Sequence, residues 1–529
     1  MITVASFLVI ALALAGLPLF LVIGASAMLG YLGSGQSMEL FFASNFRPLA
    51  TNPVFLAIPL FTLAGYLMAQ SRAPERMVRL SRAAVGWMPG GLAIVALIAC
   101  AGFTAFTGAS GVTIVALGGL LMPTLIKDGY PRRFALGLLT TGGSRGLLFP
   151  PSLPLIIYAM IAGLAMEGVQ QMEANIDEEM EEVEEAATDP DSAQAALDDE
   201  LDDILAEDDA EGEEGDEEEF DDDDLDDMLA DMDDQGKKDL EARATEDWAP
   251  GSGPDTAVTG ARAPPSHVSV DRLFVAGAVP GALALLLVAI YSIWFGVRRK
   301  VPRTRFAWRE LGRAFVGAAW EVPIPFIIIV GIYGGFFTAI DGAAIIAAYV
   351  FFVEVVVYRD IRIGQLPHIF RESMVLVGGI LLIMMSALAL TNYFIDREIP
   401  QQIFALVRET ITSPITFLLA LNVFLLVVGT LMDIFSAILV VVPMITPIAV
   451  QYGIDPVHLG IIFLTNLEMG FSTPPVGVNL FVGSLAFRRP VVELYRAALP
   501  YLGLSFISLM LITYWSDLSL WLVRVTGVQ

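Results

Sequence analysis

Two pairs of adjacent prolines, each set in an apolar run long enough to cross a membrane, constrain this chain more than any other feature. Residues 146–152 (the first break) and 470–477 (the second break) both begin with a glycine and contain a proline pair. The spacing between these two glycines, the repeat offset, also relates Pro123 to Pro447 and Gly129 to Gly453. Adjacent prolines end a helix because they lack amide donors and clash with the preceding turn. In lipid, a broken helix is tolerated only where it is buried or lines a cavity, so a matched pair predicts a transporter's binding site.

The composition predicts an integral membrane protein. Hydrophobic residues make up 55% of the 529 residues, and the mean hydropathy is +0.67, far above soluble averages. The net charge of -28 is local, because residues 167–247 hold 39 of the 58 acidic residues and the rest of the chain is mildly basic. We expect the acidic insertion, residues 166–265, to be largely disordered, since such a segment repels itself and buries little apolar surface.

Other classes of protein find little support in the residue types. The single cysteine, Cys100, excludes an intramolecular disulfide, and the scattered histidines predict no metal site other than one for Na⁺. No Ser/His, paired-Asp or His-cluster arrangement at matching depth favours an enzyme, and neither a cofactor nor a nucleic-acid partner is predicted.

The hydrophobic pattern predicts an all-α polytopic protein built from two repeats. Each repeat has a re-entrant hairpin, at 90–126 and 415–450, and a discontinuous helix, at 134–161 and 458–485. Amphipathic segments at 71–87 and 401–411 predict interfacial helices. The predicted organisation is a first half (1–165), the insertion, a last helix of the first half (266–297), a basic cytoplasmic interfacial linker (298–321) and a second half (322–529). Within the second half, 322–358 predicts two short crossings, and 374–393 and 497–523 predict one helix each.

The positive charges predict the orientation. Lys and Arg near membrane spans stay cytoplasmic. Most basic residues outside the insertion fall on the cytoplasmic side if the N-terminus lies outside and the first hairpin opens inward. This scheme makes the two halves inverted repeats and places the insertion and both termini in the periplasm.

The breaks predict two sites for a cation. The last carbonyls of one half-helix can hold Na⁺ together with nearby hydroxyls, while an anion suits the N-terminal dipole of the next half-helix. The predicted ligands of the first site are Thr107, Ser110, Gly146, Phe149 and Pro151. Those of the second site are Gly429, Thr430, Asp433, Gly470, Thr473 and Pro475. The alternative is that the glycines and prolines only allow close helix packing.

Arg145 is the most unusual charge in the sequence, because it precedes Gly146 inside an apolar run with no adjacent acid. An arginine at the bilayer centre costs roughly 2.5 to 3.5 kcal/mol on insertion scales, so Arg145 needs a cavity or a partner. The functional hypothesis is a ligand for a substrate carboxylate; the alternatives are a structural ion pair or a side chain that reaches the interface. The full predicted substrate-binding set is Arg145, Ser144, Ser152 and Ser472.

Three acids also lie within apolar segments. Asp433 is the best candidate for a cation ligand, whereas Asp341 and Glu468 are equally compatible with an ion pair or a helix cap. A proton-coupled transporter would use one of the three.

Several short motifs resemble the large membrane subunit of the TRAP (tripartite ATP-independent periplasmic) transporters. They lie at residues 58–65, 89–91, 129–130, 148–152, 337–339, 453–458 and 473–477. The resemblance implies a Na⁺-driven importer of organic acids in the bacterial inner membrane, working by an elevator mechanism. It also implies two partners, a small four-helix membrane subunit and a periplasmic substrate-binding protein.

The chain departs from that pattern in three places. The family commonly has a Ser-Gly-Ser-Ser-like tip in the first hairpin, where residues 107–110 read Thr-Gly-Ala-Ser. The family usually has an apolar residue at the position of Arg145, and the acidic insertion is an addition. The first departure removes one hydroxyl ligand from the first cation site. The alternative function is a proton-coupled or receptor-independent organic anion transporter of related fold.

Overall fold

Helices form every regular element in the part of the chain that the structure describes. The computed structural model describes residues 19–33, 53–108, 110–166, 268–302, 306–333, 336–397, 399–411 and 413–527. Seven helices within these ranges are long and apolar enough to span a membrane. The predicted all-α polytopic class is therefore confirmed. The acidic insertion lies, apart from Met166, outside the described residues.

The first half contains eight described helices. They are α1 (Leu19–Gly33), α2 (Ala57–Gln70), α3 (Ala73–Val85), α4 (Gly91–Thr107), α5 (Ser110–Lys127), α6 (Arg132–Gly142), α7 (Leu153–Met166) and α8 (Val270–Arg299). A short 3-10 turn, Pro53–Leu56, precedes α2.

Eleven described helices follow α8; the first lies in the predicted linker and the other ten lie in the second half. They are α9 (Trp308–Gly317), α10 (Pro323–Tyr333), α11 (Ala339–Phe351), α12 (Leu366–Asp396), α13 (Ile399–Thr410), α14 (Pro414–Leu431), α15 (Ile434–Gln451), α16 (Pro456–Gly470), α17 (Val478–Phe487), α18 (Val491–Tyr514) and α19 (Asp517–Thr526). A π-helical turn, Phe352–Val357, continues α11, and a 3-10 turn, Ile363–Gln365, precedes α12.

The helix bounds follow the repeat offset that the sequence predicts. Both ends of α15 lie one repeat offset after the ends of α5, and α16 begins one repeat offset after α6. The glycines that follow α5 and α15, Gly129 and Gly453, both have a positive φ, of 88° and 76°. The two halves therefore share one order of elements around each break. Their inverted orientation in the membrane stays a prediction.

Two helical hairpins correspond to the predicted ones. Hairpin 1 is α4 and α5, and hairpin 2 is α14 and α15. In hairpin 1, Gly108 directly follows α4; its φ is 63° and its amide donates to the carbonyl of Thr104 at 2.8 Å. A Cβ on Gly108 would lie 2.9 Å from Cβ of Leu153. The tip of hairpin 1 therefore lies against the first residue of α7.

Two predicted helices have different bounds in the structure. The segment predicted as one helix over 497–523 forms α18 and α19, because Trp515 leaves the helical conformation at φ -125°, ψ 82°. The helix predicted over 374–393 begins earlier, at Leu366. Its first turns carry polar side chains that an apolar pattern does not detect.

The two halves interlock through their broken helices. A Cβ on Gly137 of α6 would lie 2.2 Å from the carbonyl oxygen of Ala497 in α18, which shows how closely these backbones approach. In the other direction, the Tyr158 hydroxyl on α7 donates to the carbonyl of Pro456, at the start of α16, at 2.9 Å. Each broken helix therefore contacts a helix of the opposite half.

Arg76 fixes the amphipathic helix α3 to the second half. Its guanidinium forms ion pairs with Glu321, Glu354 and Asp360, and the Glu354 pair measures 3.0 Å. The ring of Tyr358 lies 3.9 Å from the guanidinium carbon. Burial raises the pKa of the Glu321 carboxyl, and the positive charge of Arg76 opposes that rise. The sequence predicted only an interfacial position for this arginine, because its three partners lie far along the chain.

Candidate substrate and ion site

Each break packs against the backbone of the hairpin in its own half. A Cβ on Gly146 would lie 2.1 Å from the carbonyl oxygen of Ala101 and 2.6 Å from the amide nitrogen of Ala105, both in α4. A Cβ on Gly470 would lie 2.6 Å from the carbonyl carbon of Gly429, in α14. Ala105 and Gly429 are themselves one repeat offset apart. The same backbone contact is therefore present in both halves, and only glycine fits at each break.

The turns inside the two breaks also match. The Gly146 carbonyl accepts a hydrogen bond from the amide of Phe149 at 3.0 Å, and the Gly470 carbonyl accepts one from the amide of Thr473 at 2.9 Å. Both proline pairs contain a cis peptide bond. Each glycine carbonyl has a second lone pair, so it can still act as an oxygen ligand for a cation.

The tip of hairpin 1 contacts the helix that follows the second break. Ser110, the first residue of α5, donates from Oγ to Oδ1 of Asn479 in the first turn of α17, at 2.6 Å. Thr107, the last residue of α4, is buried beside the tip. The sequence placed Thr107 and Ser110 at this site but missed Asn479. An amide side chain shortly after Pro475, in an otherwise apolar helix, is the signal that could have indicated it.

Two serine hydroxyls and one amide nitrogen near the breaks have no hydrogen-bond partner among the described residues. They are Oγ of Ser152, Oγ of Ser472 and Nδ2 of Asn479, and all three residues are buried. Leaving such a group unsatisfied costs about 1 to 3 kcal/mol. Ser152 directly precedes α7, and Asn479 lies in the first turn of α17, where the helix dipole favours negative charge. Hydroxyl and amide donors beside two helix N-termini suit an anionic ligand.

The remaining predicted residues of the first half have structural contacts. The Ser144 hydroxyl donates to the carbonyl of Thr141 at 3.2 Å, within its own turn. The Phe149 ring packs on α8, since a Cβ on Gly281 would lie 2.9 Å from it. Pro151 is buried next to Ser152. These contacts do not test whether the carbonyls of Phe149 and Pro151 bind a cation. That role stays a prediction.

The tip of hairpin 2 is organised by Asp433, which caps α15. Its Oδ1 accepts hydrogen bonds from the amides of Phe435 and Ser436 at 3.0 and 3.1 Å, and the Ser436 hydroxyl donates to its Oδ2. Capping accounts for the position of this carboxylate. It also places carboxyl oxygens at the hairpin tip, which are ligands that Na⁺ prefers. The role of Asp433 in binding Na⁺ stays a prediction.

The hydroxyls of the second site donate to their own helices. Thr430 Oγ1 donates to the Val427 carbonyl at 2.7 Å, and Thr473 Oγ1 donates to the Met469 carbonyl at 2.8 Å. These bonds use the proton and leave oxygen lone pairs available to a cation. The Pro475 carbonyl accepts a hydrogen bond from the Tyr495 hydroxyl.

Arg145 and Glu468 form a buried ion pair between the two breaks. The distance from Nη1 to Oε1 is 2.9 Å, and the two side chains are 3% and 4% exposed. The Nη2 group of Arg145 donates to the hydroxyl of Ser505 in α18. The ion pair that the sequence left open as an alternative is therefore present in the structure. A contact of Arg145 with substrate stays a prediction.

Asp341 caps a helix, which is one of the two structural roles that the sequence left open for it. It forms a capping box with Thr338 at the start of α11, in which its Oδ2 accepts from the Thr338 amide at 3.2 Å.

A cavity of about 680 Å³ opens beside the tip of hairpin 1. Thr107 and Val112 line it from the hairpin, and residues of α2 and α12 line the opposite wall: Tyr66, Ala69, Gln70, His368, Arg371, Glu372, Val375 and Leu376. The polar lining residues on α2 and α12 were not predicted from the sequence. The cavity lies between a hairpin and a separate pair of helices, and its size is in the range of small-molecule sites.

The chain matches one family of transporters along most of its length. The model of the DctM component of tripartite ATP-independent periplasmic transporters matches residues 3–173 and 257–518. Among the similar proteins, the C4-dicarboxylate TRAP transporter large permease protein DctM of Vibrio cholerae is 30% identical over 538 residues, which cover 97% of this chain and 96% of that protein. The protein of the same name from Pseudomonas aeruginosa is 30% identical, and the match covers 90% of this chain and 87% of that protein.

Relatives named for other substrates also match. The isethionate TRAP transporter permease protein DctMQ of Oleidesulfovibrio alaskensis is 26% identical, over 94% of this chain and 62% of that protein. These similar proteins are named as transporter permeases, not as enzymes. Because these relatives are named for different substrates, family membership alone does not identify the substrate of this chain.

Proposed function

Because this chain belongs to the TRAP transporter family as a large permease subunit of the DctM type, we propose that it imports a small carboxylate driven by Na⁺. The observation that carries the proposal is the contact between Ser110 and Asn479. It joins the tip of hairpin 1 to the helix that follows the second break and leaves Nδ2 of Asn479 unpartnered in the described part of the chain.

The carboxylate is bound by neutral donors and helix dipoles. The Asn479 amide and the hydroxyls of Ser152 and Ser472 supply hydrogen bonds, and the N-termini of α7 and α17 supply partial positive charge. Arg145 is a positioning residue, because its pair with Glu468 holds the two breaks together. A C4-dicarboxylate is the first substrate to test, since the Vibrio cholerae and Pseudomonas aeruginosa relatives carry that name.

Sodium ions bind where each hairpin tip meets its break. Carbonyl and hydroxyl oxygens are the ligands that unwound transporter helices offer to Na⁺. At the first site these are Thr107, Ser110 and the Gly146 carbonyl. At the second site they are Thr473, the Gly470 carbonyl and the Asp433 carboxylate. The cation neutralises the substrate charge beside it, so that ion and carboxylate bind together.

The substrate leaves through the cavity at hairpin 1. In an elevator mechanism the hairpins and breaks move as a body against fixed helices, and this cavity has Thr107 on one wall and α12 on the other. The charge pattern of the sequence predicts that Arg371, on α12, faces the cytoplasm. An arginine at that exit attracts the anion toward release.

Two partners complete the transporter. A small membrane subunit and a periplasmic substrate-binding protein accompany large permeases of this family, and we propose both for this chain, in the inner membrane with its termini in the periplasm. The DctMQ relative is longer than this chain, which spans 62% of it.

Uptake of competing substrates tests the proposal. The complex, reconstituted in liposomes with its receptor, is supplied with radiolabelled succinate and a Na⁺ gradient. We expect unlabelled C4-dicarboxylates to compete and the zwitterion ectoine not to compete. Equal competition by ectoine, a zwitterion with a single carboxylate, would exclude a site that prefers a C4-dicarboxylate. A suitable control variant is Ser26→Ala, which removes a hydroxyl bonded within its own helix. Asn422→Asp is not suitable, because Asn422 lies in a buried hydrogen-bond network with Asn466 and Thr513.

A further inference from the structure

A second, smaller cavity lies between the two amphipathic helices α3 and α9, away from the breaks. It measures about 320 Å³. Arg79 and Arg82 line it from α3, Arg313 lines it from α9, and Trp87, Phe306 and Glu310 complete the polar and aromatic wall. Ala83 and Ala314 lie on the same two helix faces, and their small side chains leave the space open. The transport site makes no use of these residues.

The cavity carries an excess of positive charge. Three arginines face one acid, Glu310, inside it. Arg82 is partly compensated from outside, because its Nη2 lies 3.5 Å from Oδ2 of Asp128. Neither Arg79 nor Arg313 forms an ion pair with any residue in the described ranges. Guanidinium groups bind phosphate oxygens in a bidentate manner, so a phosphate is the anion that this arrangement suits.

The exposed aromatic residues around the cavity are typical of a surface at the membrane interface. Trp87 is 48% exposed and Trp308 is 78% exposed, and Phe306 packs edge-on against both, with ring centroids 6.3 and 4.9 Å apart. Exposed Phe315 and Val316 continue the apolar surface of α9. Tryptophan is enriched at membrane interfaces, and amphipathic helices with a basic polar face lie in that layer.

We propose that this cavity binds the phosphate headgroup of an anionic phospholipid. The headgroup sits between Arg79, Arg82 and Arg313, and the acyl chains extend along the exposed aromatic residues. Basic pockets beside membrane helices bind anionic lipid headgroups in this way. The bound lipid anchors the helix pair α3 and α9 in the membrane interface. Through the ion pairs of Arg76, α3 is also bound to the second half.

Lipid binding to the full-length chain, purified from the membrane, tests the proposal. Native mass spectrometry compares dioleoyl phosphatidylglycerol with dioleoyl phosphatidylcholine, which differ only in the headgroup. We expect a preference for phosphatidylglycerol that falls roughly tenfold or more in the double variant Arg79→Gln, Arg313→Gln, given the attraction of each arginine to an anionic surface. The control, Arg132→Gln with Arg309→Gln, removes two exposed arginines that do not line the cavity and should keep the preference.

Four results would overturn the proposal. The first is an equal affinity for both lipids, and the second is a preference that survives in the double variant with an unchanged melting temperature. The third is displacement of phosphatidylglycerol by inorganic phosphate alone, which would indicate a site for free phosphate. The fourth is a combination of two observations: an Ala83→Cys variant forms a disulfide or thiol crosslink to the small membrane subunit, and the complex shows no lipid preference. That combination would make the cavity a subunit interface.

Discussion

The ion pair between Arg145 and Glu468 gives the sharpest stability prediction. Replacing Arg145 with Met leaves the Glu468 carboxylate in a site where its side chain is 4% exposed. The oxygens of Glu468 have no hydrogen-bond partner among the described residues, so the guanidinium is their main compensation. The Arg145→Met variant also removes the donor that the Ser505 hydroxyl accepts from.

The expected magnitude follows from the burial of both charges. Removing one partner of a buried ion pair typically costs about 3 to 5 kcal/mol, because the other charge is left uncompensated. Replacing both partners with apolar residues of similar size is often neutral or stabilising. We therefore expect Arg145→Met and Glu468→Met each to lower the free energy of unfolding by about 3 to 5 kcal/mol, and the double variant to regain most of that loss.

Unfolding by SDS in mixed micelles, followed by circular dichroism, measures these free energies. The matched control is the ion pair between Arg524 and Asp517, which is 2.7 Å long but 63% and 56% exposed. Because water screens that pair, Arg524→Met should cost about 0 to 1 kcal/mol. Single variants at Arg145 and Glu468 that are as harmless as this control would refute the reasoning. So would a double variant whose loss equals the sum of the two single losses.

Transport by the double variant separates two roles of Arg145. If the arginine only positions the breaks, the stable double variant, whose two methionines pack in the same place, keeps carboxylate uptake within a few fold. If uptake is abolished in a folded double variant but kept in Glu468→Met, Arg145 contacts the substrate itself, as the sequence hypothesis states.

Three further perturbations have defined outcomes. Gly146→Ala and Gly470→Ala place a Cβ 2.1 Å and 2.6 Å from backbone atoms of the hairpins, so each should lower the free energy of unfolding by about 1 to 3 kcal/mol or more, as measured by SDS unfolding. The control Gly378→Ala, with no atom within 4 Å of its Cβ, should be neutral or stabilising. Equal effects of all three substitutions would contradict the packing argument. Asn479→Leu should reduce kcat/KM for succinate uptake roughly ten- to hundredfold by removing a donor to a charged ligand, and an unchanged value would remove Asn479 from the site. Deleting residues 170–262 should leave the melting temperature and uptake intact, and a misfolded product would show that the insertion is needed for folding.

The breaks and hairpins could be predicted because their signals are local. A proline pair ends a helix wherever it occurs, and a glycine between two apolar runs allows a hairpin tip such as Gly108. The repeat offset provided a second, independent instance of each prediction. For the same reason the helix bounds on both sides of the breaks agree closely with the sequence pattern.

The pairings between distant residues could not be predicted. Ser110 and Asn479 are 369 positions apart, and the partners of Arg76 lie 245 or more positions away. Which acid meets which arginine depends on how the two halves pack, and no periodicity in the sequence records it. The break between α18 and α19 at Trp515 was missed for a related reason, since the apolar pattern continues across it.

The most direct test of the central claim is Na⁺-driven uptake by the reconstituted complex. Liposomes containing the transporter receive receptor-bound succinate with an inward Na⁺ gradient, with the same gradient of K⁺, or with a proton gradient alone. We expect accumulation only with Na⁺, and a higher Na⁺ requirement in a Ser110→Ala variant. Uptake that proceeds unchanged in Na⁺-free buffer, or that follows the proton gradient, would contradict the account and favour a proton-coupled transporter.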